Sequence, residues 1–355
     1  MKQKEPISNS KLLFYLIITV LIGLFFIKNT MDFSILKNLQ LTRKIGLGIL
    51  GATCMLILRD LGYVLRLRLL TDQKIKFKES VKIILMWEFG SAISPGMIGG
   101  KAFAVFLLIK QKINAAKASS IVLLAIILDE FIFVLLFPIF YFIYREKMLS
   151  PDTTCPDWIL LESKVSFLKN ISYLETVIFI MLFVILGFVI IAFLGIFIFP
   201  NWIKSLIKRI ARWRILKKWH SKIIDFSEDI YSTSKRFKEK PKRFWIQLVL
   251  FTLMSWSGRY MVGVAIVWGF NIQNFDFLLV YAKQYSLWIM FYLPTTPGSS
   301  GLAETLFMSF YCPYFQEGMS GAIAFIWRFL SYYIYLFLGI LLLFGGLNSF
   351  KNKGK

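Results

Sequence analysis

The chain has 355 residues, of which 57% are hydrophobic and 17% charged, with phenylalanine alone occurring 36 times. An ordinary soluble domain runs at about 45–50% apolar and about 25% charged, so a water-soluble globular fold is excluded and a protein of many membrane spans is predicted. Lys and Arg number 42 against 20 Asp and Glu; between apolar runs that excess sets topology and meets anionic lipid, and nucleic acid is not expected as a partner.

A short basic leader with Lys2, Lys4 and Lys11 precedes the first apolar run, Leu12 to Ile27. No small-residue cleavage site follows it, so it reads as a retained span rather than a signal peptide. Further runs near 45–65, 119–144, 171–199, 244–270 and 322–345 each have the length of about 20 residues that crosses a hydrocarbon core of about 30 Å. Two other apolar regions are interrupted. Residues 83–109 contain SAISPGMIGGK, with Pro95, Gly96, Gly99 and Gly100, and residues 278–312 contain LPTTPGSSGLAE, with Pro294, Pro297, Gly298 and Gly301. The first arm, taken as 83–94, is too short to cross a bilayer as a helix. Proline and glycine at this density predict two re-entrant helical hairpins, with the broken backbone shielded inside the protein.

Charge orients the spans. Residues 200–244 hold 14 Lys and Arg against 4 Asp and Glu, which predicts a cytoplasmic segment. Counting spans from there puts both termini inside, both flanks of the first hairpin inside, and both flanks of the second outside. The predicted fold is all-α and polytopic, one integral membrane domain over 1–355. It contains an inverted repeat of a span, a hairpin and a span, in units at 45–144 and 244–345. Residues 201–243 form a basic cytoplasmic segment. Its beginning places Ile203, Leu206, Ile207, Ile210 and Trp213 along one face amid Lys and Arg, as in a helix lying on anionic inner-leaflet lipid. His220 is the sole histidine, so neither a metal site nor a Ser-His-Asp set is expected. No nucleotide fingerprint is present and no cofactor is expected. Cys155 and Cys312 fall on the outer side, and their pairing is left open.

Binding chemistry is expected where helices begin in the membrane. Such a start presents N–H groups without partners and the positive end of the helix dipole, a ready anion site. Pro95, Gly96, Gly99 and Gly100 with Lys101, and Pro297, Gly298, Ser299, Ser300 and Gly301, are therefore candidates for holding a lipid phosphate. Each stretch also reads as a plain helix start with proline in its first turn. Arg59, Asp60, Asp129, Glu130, Arg259 and Arg328 fall in or near hydrocarbon, where each would cost about 2.5–3.5 kcal/mol if it faced lipid at mid-depth. They are expected to face the interior, although Arg259 is close enough to the outer surface to snorkel. Arg59 and Arg328 are candidate phosphate partners, or else structural ion-pair partners of Asp129 or Glu130. Asp60, Asp129, Glu130 and Glu304 are expected to tune these cations or couple movement to a proton, and Glu88 and Lys101 to pair across the first hairpin.

Three stretches carry a family resemblance: RDLGYVLRLRLL (59–70), SAISPGMIGGKAFAVFLL (91–108) followed by SSIVLLAIILDE (119–130), and YLPTTPGSSGLAETLF (292–307) followed by AIAFIWRFLSYY (322–333). In their order and separation the sequence resembles the transmembrane family of lysylphosphatidylglycerol synthases and flippases, over about 45–345. It departs from that family in reading GSSG where a denser glycine run is usual, and in lacking a tryptophan after the early arginines. The chain given ends at Lys355, so the resemblance implies the stand-alone membrane half without an aminoacyl-transfer domain. It further implies a non-enzymatic, flippase-like role, moving a phospholipid or polyprenyl-phosphate-linked lipid across the cytoplasmic membrane. The competing readings are a membrane transferase acting on a lipid phosphate, with Asp129 or Glu130 as base, and a scaffold whose buried charge is structural. The opposed hairpins of undecaprenyl-phosphate carriers are a rival for the fold.

Overall fold

The computed structural model describes residues 42–94, 98–149, 171–212, 220–272, 274–292 and 301–351. The run at 12–27, the outer loop with Cys155, Pro95, Gly96 and residues 293–300 lie outside them. Everything described is helix or turn. In chain order the helices are α1 (Arg43–Leu70), α2 (Phe77–Ile93), α3 (Ile98–Lys110), α4 (Ala115–Tyr144), the single turn α5 (Glu146–Leu149), α6 (Ile171–Phe193), α7 (Pro200–Ala211) and α8 (His220–Lys238). There follow α9 (Lys242–Phe270), α10 (Phe277–Met290), α11 (Leu302–Tyr311), α12 (Ser320–Arg328) and α13 (Ile334–Lys351). Side-chain oxygens of Thr42, Asn114 and Asp276 cap α1, α4 and α10 by accepting from first-turn N–H groups.

Five of the described helical stretches are long and apolar enough to cross a membrane: Arg43–Leu70, Ala115–Tyr144, Glu175–Phe193, Lys242–Phe270 and Ser320–Leu343. These are the spans expected from sequence apart from 12–27. Their outer faces are apolar. On α1, Leu47, Leu50, Ile57 and Leu61 recur at helical spacing, with Leu50 60% and Ile57 63% exposed, a pattern that suits contact with lipid and not with water. The last stretch is not one regular helix. A π-helical turn, Phe329–Tyr333, follows directly on Arg328.

Hydrogen bonds and ion pairs define two ends. At one, Asp72 in the turn after α1 pairs with Lys117 of α4 at 2.9 Å and with Lys240, just before α9, at 2.6 Å. Burial alone would raise the Asp72 carboxyl, but hydrogen bonds from Lys240 and Lys117 outweigh it and hold the group below its ordinary range. Asn114 joins Asp229 of α8 at the same end, at 3.0 Å. At the other end Lys44 donates to the Asn271 carbonyl at 2.9 Å, Tyr144 to Asp276 at 3.2 Å, and the Ile272 N–H to the Tyr314 carbonyl at 3.0 Å. Helix α2 leaves from the first end and α3 returns to it; α10 leaves from the second and α11 returns to it. The two pairs of short helices therefore point towards each other. The α2 arm is longer than its sequence suggested, 17 residues, or about 25 Å as a helix.

Helices α1 and α9, which open the two segment series, run antiparallel at close range. A Cβ added at Gly48 would lie 2.6 Å from the Gly269 Cα, one at Gly258 2.8 Å from the Arg59 backbone nitrogen, and one at Gly62 2.3 Å from Ser255 Oγ. Small residues allow this approach, the usual device where apolar solvent gives helices no hydrophobic reason to associate. In the basic segment, Lys204 and Lys208 of α7 pair with Glu228 of α8 at 2.5 and 2.8 Å, while Trp202 and Leu206 stay exposed. Cys312 is disulfide-bonded and Cys54 is free and exposed.

Candidate functional site

Helical spacing gathers the polar groups. On α1, Arg59, Tyr63 and Arg66 stand at i, i+4 and i+7, one face of a helix; Ile84, Glu88 and Ser91 repeat the spacing on α2, and Arg328, Tyr332 and Tyr335 across the π turn. These faces converge on a cavity of about 220 Å³, also lined by Lys101, Asp129, Glu130, Arg259, Trp288 and Tyr292. Asp129 and Glu130 sit halfway along α4, about 21 Å from its start at about 1.5 Å per residue. The cavity therefore lies halfway along α4, beside the inner ends of α2, α3 and α10.

Most of its charges are held in ion pairs. Arg59 is 1% exposed and reaches Glu88 at 2.6 Å and Asp60 at 3.4 Å. Glu88 also takes Arg259 at 3.1 Å, so one carboxylate of α2 clamps the crossing point of α1 and α9. Arg66 donates to both carboxylate oxygens of Asp129, which accepts Trp256 Nε1 as well, at 2.7 Å. Arg328 bonds Glu304 at 3.2 Å, and the other Glu304 oxygen accepts the Gly301 N–H at 2.7 Å. Gly301 has φ +86°, a conformation that favours glycine. Tyr292 donates to Glu130, and Tyr335 to Asp60 at 2.7 Å. Aromatic faces shield the guanidinium groups: Arg328 lies 4.1 Å from the Tyr332 ring centroid and Arg259 4.9 Å from that of Trp288. Ser331 Oγ is buried with no hydrogen-bond partner among the described residues.

Arg328, Asp129, Glu130 and Lys101 line one cavity. Arg59 does not; it lies behind the wall, engaged by Glu88 and Asp60. Neither arginine pairs with Asp129 or Glu130, because nearer carboxylates on their own or adjoining helices take them. Glu88 pairs with Arg59 and Arg259 rather than with Lys101. Arg259 does not snorkel; it faces the cavity. Of the expected phosphate-binding turns, Pro95, Gly96 and Pro297, Gly298, Ser299 and Ser300 lie outside the described residues. At Gly100 an added Cβ would fall 1.9 Å from Ser91 Oγ, so glycine there lets α2 and α3 touch. The Gly301 N–H is taken by Glu304, which leaves that donor unavailable to an anion. Arg66, on the inner flank of the first hairpin by the charge pattern, is buried in the site; its i+7 relation to Arg59 is the signal that places it there. Tyr292 and Trp256 carried no such mark.

An α-helical membrane bundle with an internal cavity lined by both signs of charge is the class of protein that this architecture defines. The sequence profile of the family described as "Lysylphosphatidylglycerol synthase TM region" matches residues 12–339, and the chain belongs to that family. It is 24% identical over 291 residues to a "UPF0104 membrane protein" of Archaeoglobus fulgidus, an alignment covering 78% of this chain and 80% of that one. No solved structure matches the chain.

Proposed function

We propose that this protein moves a lipid with a phosphate-bearing headgroup, a phospholipid or a polyprenyl-phosphate-linked lipid, between the leaflets of the cytoplasmic membrane, and that it does so as a carrier and not an enzyme. One observation carries the reading: a cavity lined by both signs of charge lies halfway along the apolar helix α4, with short helices from both ends of the bundle in its wall. Lys101 lines it and has no ion-pair partner among the described residues, so its ammonium is available to a phosphate oxygen. Arg66, Arg259 and Arg328 also line it; their charges are met by Asp129, Glu88 and Glu304, and their guanidinium groups can still offer N–H donors to a headgroup.

In this reading the end with Asp72, Lys117 and Lys240 is cytoplasmic, as are both termini, and the short-helix pairs are re-entrant. The disulfide at Cys312 suits the opposite end, because disulfides persist in oxidising compartments. The basic α7–α8 segment rests on anionic inner-leaflet lipid through Trp202 and Leu206. The test is mass spectrometry of lipid retained after purification in mild detergent. The native chain is expected to hold a phosphate-bearing lipid that Lys101→Ala, still folded, retains in smaller amount. A native chain free of such lipid would contradict the proposal.

A further inference from the structure

Ten charged side chains meet at this site, and they balance. Arg59, Arg66, Lys101, Arg259 and Arg328 are positive; Asp60, Glu88, Asp129, Glu130 and Glu304 are negative. Ion pairs join eight of the ten, four of each sign: Arg59 with Asp60 and Glu88, Arg259 with Glu88, Arg66 with Asp129, and Arg328 with Glu304. The two left over are Lys101 and Glu130. Both line the cavity, and neither has an ion-pair partner among the described residues. Among the described residues the Glu130 carboxylate accepts only the Tyr292 hydroxyl.

A phosphodiester carries one negative charge throughout the neutral range. Held by Lys101, it would cancel that ammonium and leave Glu130 as a buried carboxylate with no opposing charge, an arrangement that low-dielectric surroundings penalise heavily. One proton removes the excess: the Glu130 carboxylate plus H⁺ gives a neutral carboxylic acid, and five positive charges again face five negative ones. The other acids are poor alternatives. Asp129 already accepts three N–H donors, from Arg66 and Trp256, and both Glu304 oxygens are engaged, by Gly301 and Arg328.

Resting on the carrier reading above, we propose that an anionic lipid headgroup and one proton occupy the cavity together, with Glu130 as the proton site, so that transport is lipid–proton symport. The charged groups that share the cavity with Glu130 are Arg66 from α1, Glu88 from α2, its neighbour Asp129, Arg259 from α9 and Arg328 from α12, each held in an ion pair. Lys101 from α3 and Tyr292 from α10 complete the surroundings. Occupancy of Lys101 is therefore the change that Glu130 feels most. Linkage makes the effect mutual: the anion raises the proton affinity of Glu130, and lower pH tightens anion binding.

The experiment is calorimetric titration of the purified full-length protein with phosphatidylglycerol in mixed micelles, at mildly alkaline pH. It is run in two buffers of different ionisation enthalpy, with soluble glycerophosphoglycerol as a parallel arm. The native protein is expected to take up about one proton per phosphatidylglycerol bound, and Glu130→Gln to bind with uptake near zero. Buffer-independent heat from the native protein overturns the proton inference while leaving the carrier reading intact, and needs no variant to fold. Uptake retained in Glu130→Gln overturns the assignment to Glu130. Equal binding and uptake with glycerophosphoglycerol supports the proton site but makes the cargo a free phosphodiester. No binding in either arm overturns the symport proposal and removes phosphatidylglycerol as cargo, leaving the carrier reading to the polyprenyl-phosphate-linked lipid alone.

Discussion

Each buried arginine at the site is answered by a carboxylate from another element or from its own, and the pairs differ in what their loss should do. Arg66→Ala leaves Asp129 at mid-depth without its cation, and removing one partner of a buried pair typically costs about 3–5 kcal/mol. A large fall in the detergent melting temperature is expected, and it should be substantially recovered in the double variant Arg66→Met with Asp129→Leu. A single variant that melts like the native protein would show the pair to be energetically idle. The sequence made the charges legible but not their partners. Arg59 and Arg328 were recognisable as too costly to face lipid, whereas the choice of Glu88 and Glu304 over Asp129 and Glu130 depends on where three other helices stand. Arg66 and Arg259 looked like membrane-edge residues because linear position says little about depth in long, 28- and 29-residue helices.

Among the elements, the α1–α9 crossing is the least tolerant. Gly258→Ala would push a methyl to 2.8 Å from both the Arg59 nitrogen and the Met55 carbonyl oxygen, backbone atoms that cannot rotate away. Overpacking of this kind typically costs about 1–3 kcal/mol. Gly46→Ala, with nothing within 4 Å of the new Cβ, should be neutral, and equal melting of the two variants would refute the tight crossing. Asp72 ties the α1–α2 turn to α4 and to the chain before α9. Its pKa is depressed, so its contribution is full above the ordinary value of 3.8 and lost as pH falls below it. The group is about a third exposed, so the effect is small and salt-screened. The stability gap between native protein and Asp72→Asn should narrow as the pH is lowered from neutrality to the acid range; a gap that widens would contradict the assignment. Long apolar helices were legible from hydropathy, because twenty consecutive apolar residues have few other uses. The π turn after Arg328 was not, since no proline or glycine marks it.

For the whole molecule, the two ends defined by Asp72 and by Asn271 must face opposite compartments if the charge reading is right. In a Cys54→Ala background, Gln316→Cys should react with an impermeant thiol reagent in intact cells, and Ser232→Cys only after permeabilisation. The reverse pattern would invert the topology. The pairs of short helices were foreseeable from two proline–glycine interruptions in otherwise apolar runs, whereas the cavity depended on packing that no linear pattern encodes. The central claim is that this cavity carries a phosphate headgroup across the bilayer, and leaflet exchange of labelled phosphatidylglycerol and polyprenyl phosphate in liposomes containing purified protein tests it most directly. The account predicts protein-dependent exchange of at least one of these lipids, slowed about tenfold or more by Lys101→Ala, the loss of one charge-assisted contact of about 1.5–3 kcal/mol. Exchange no faster than in protein-free liposomes would contradict it.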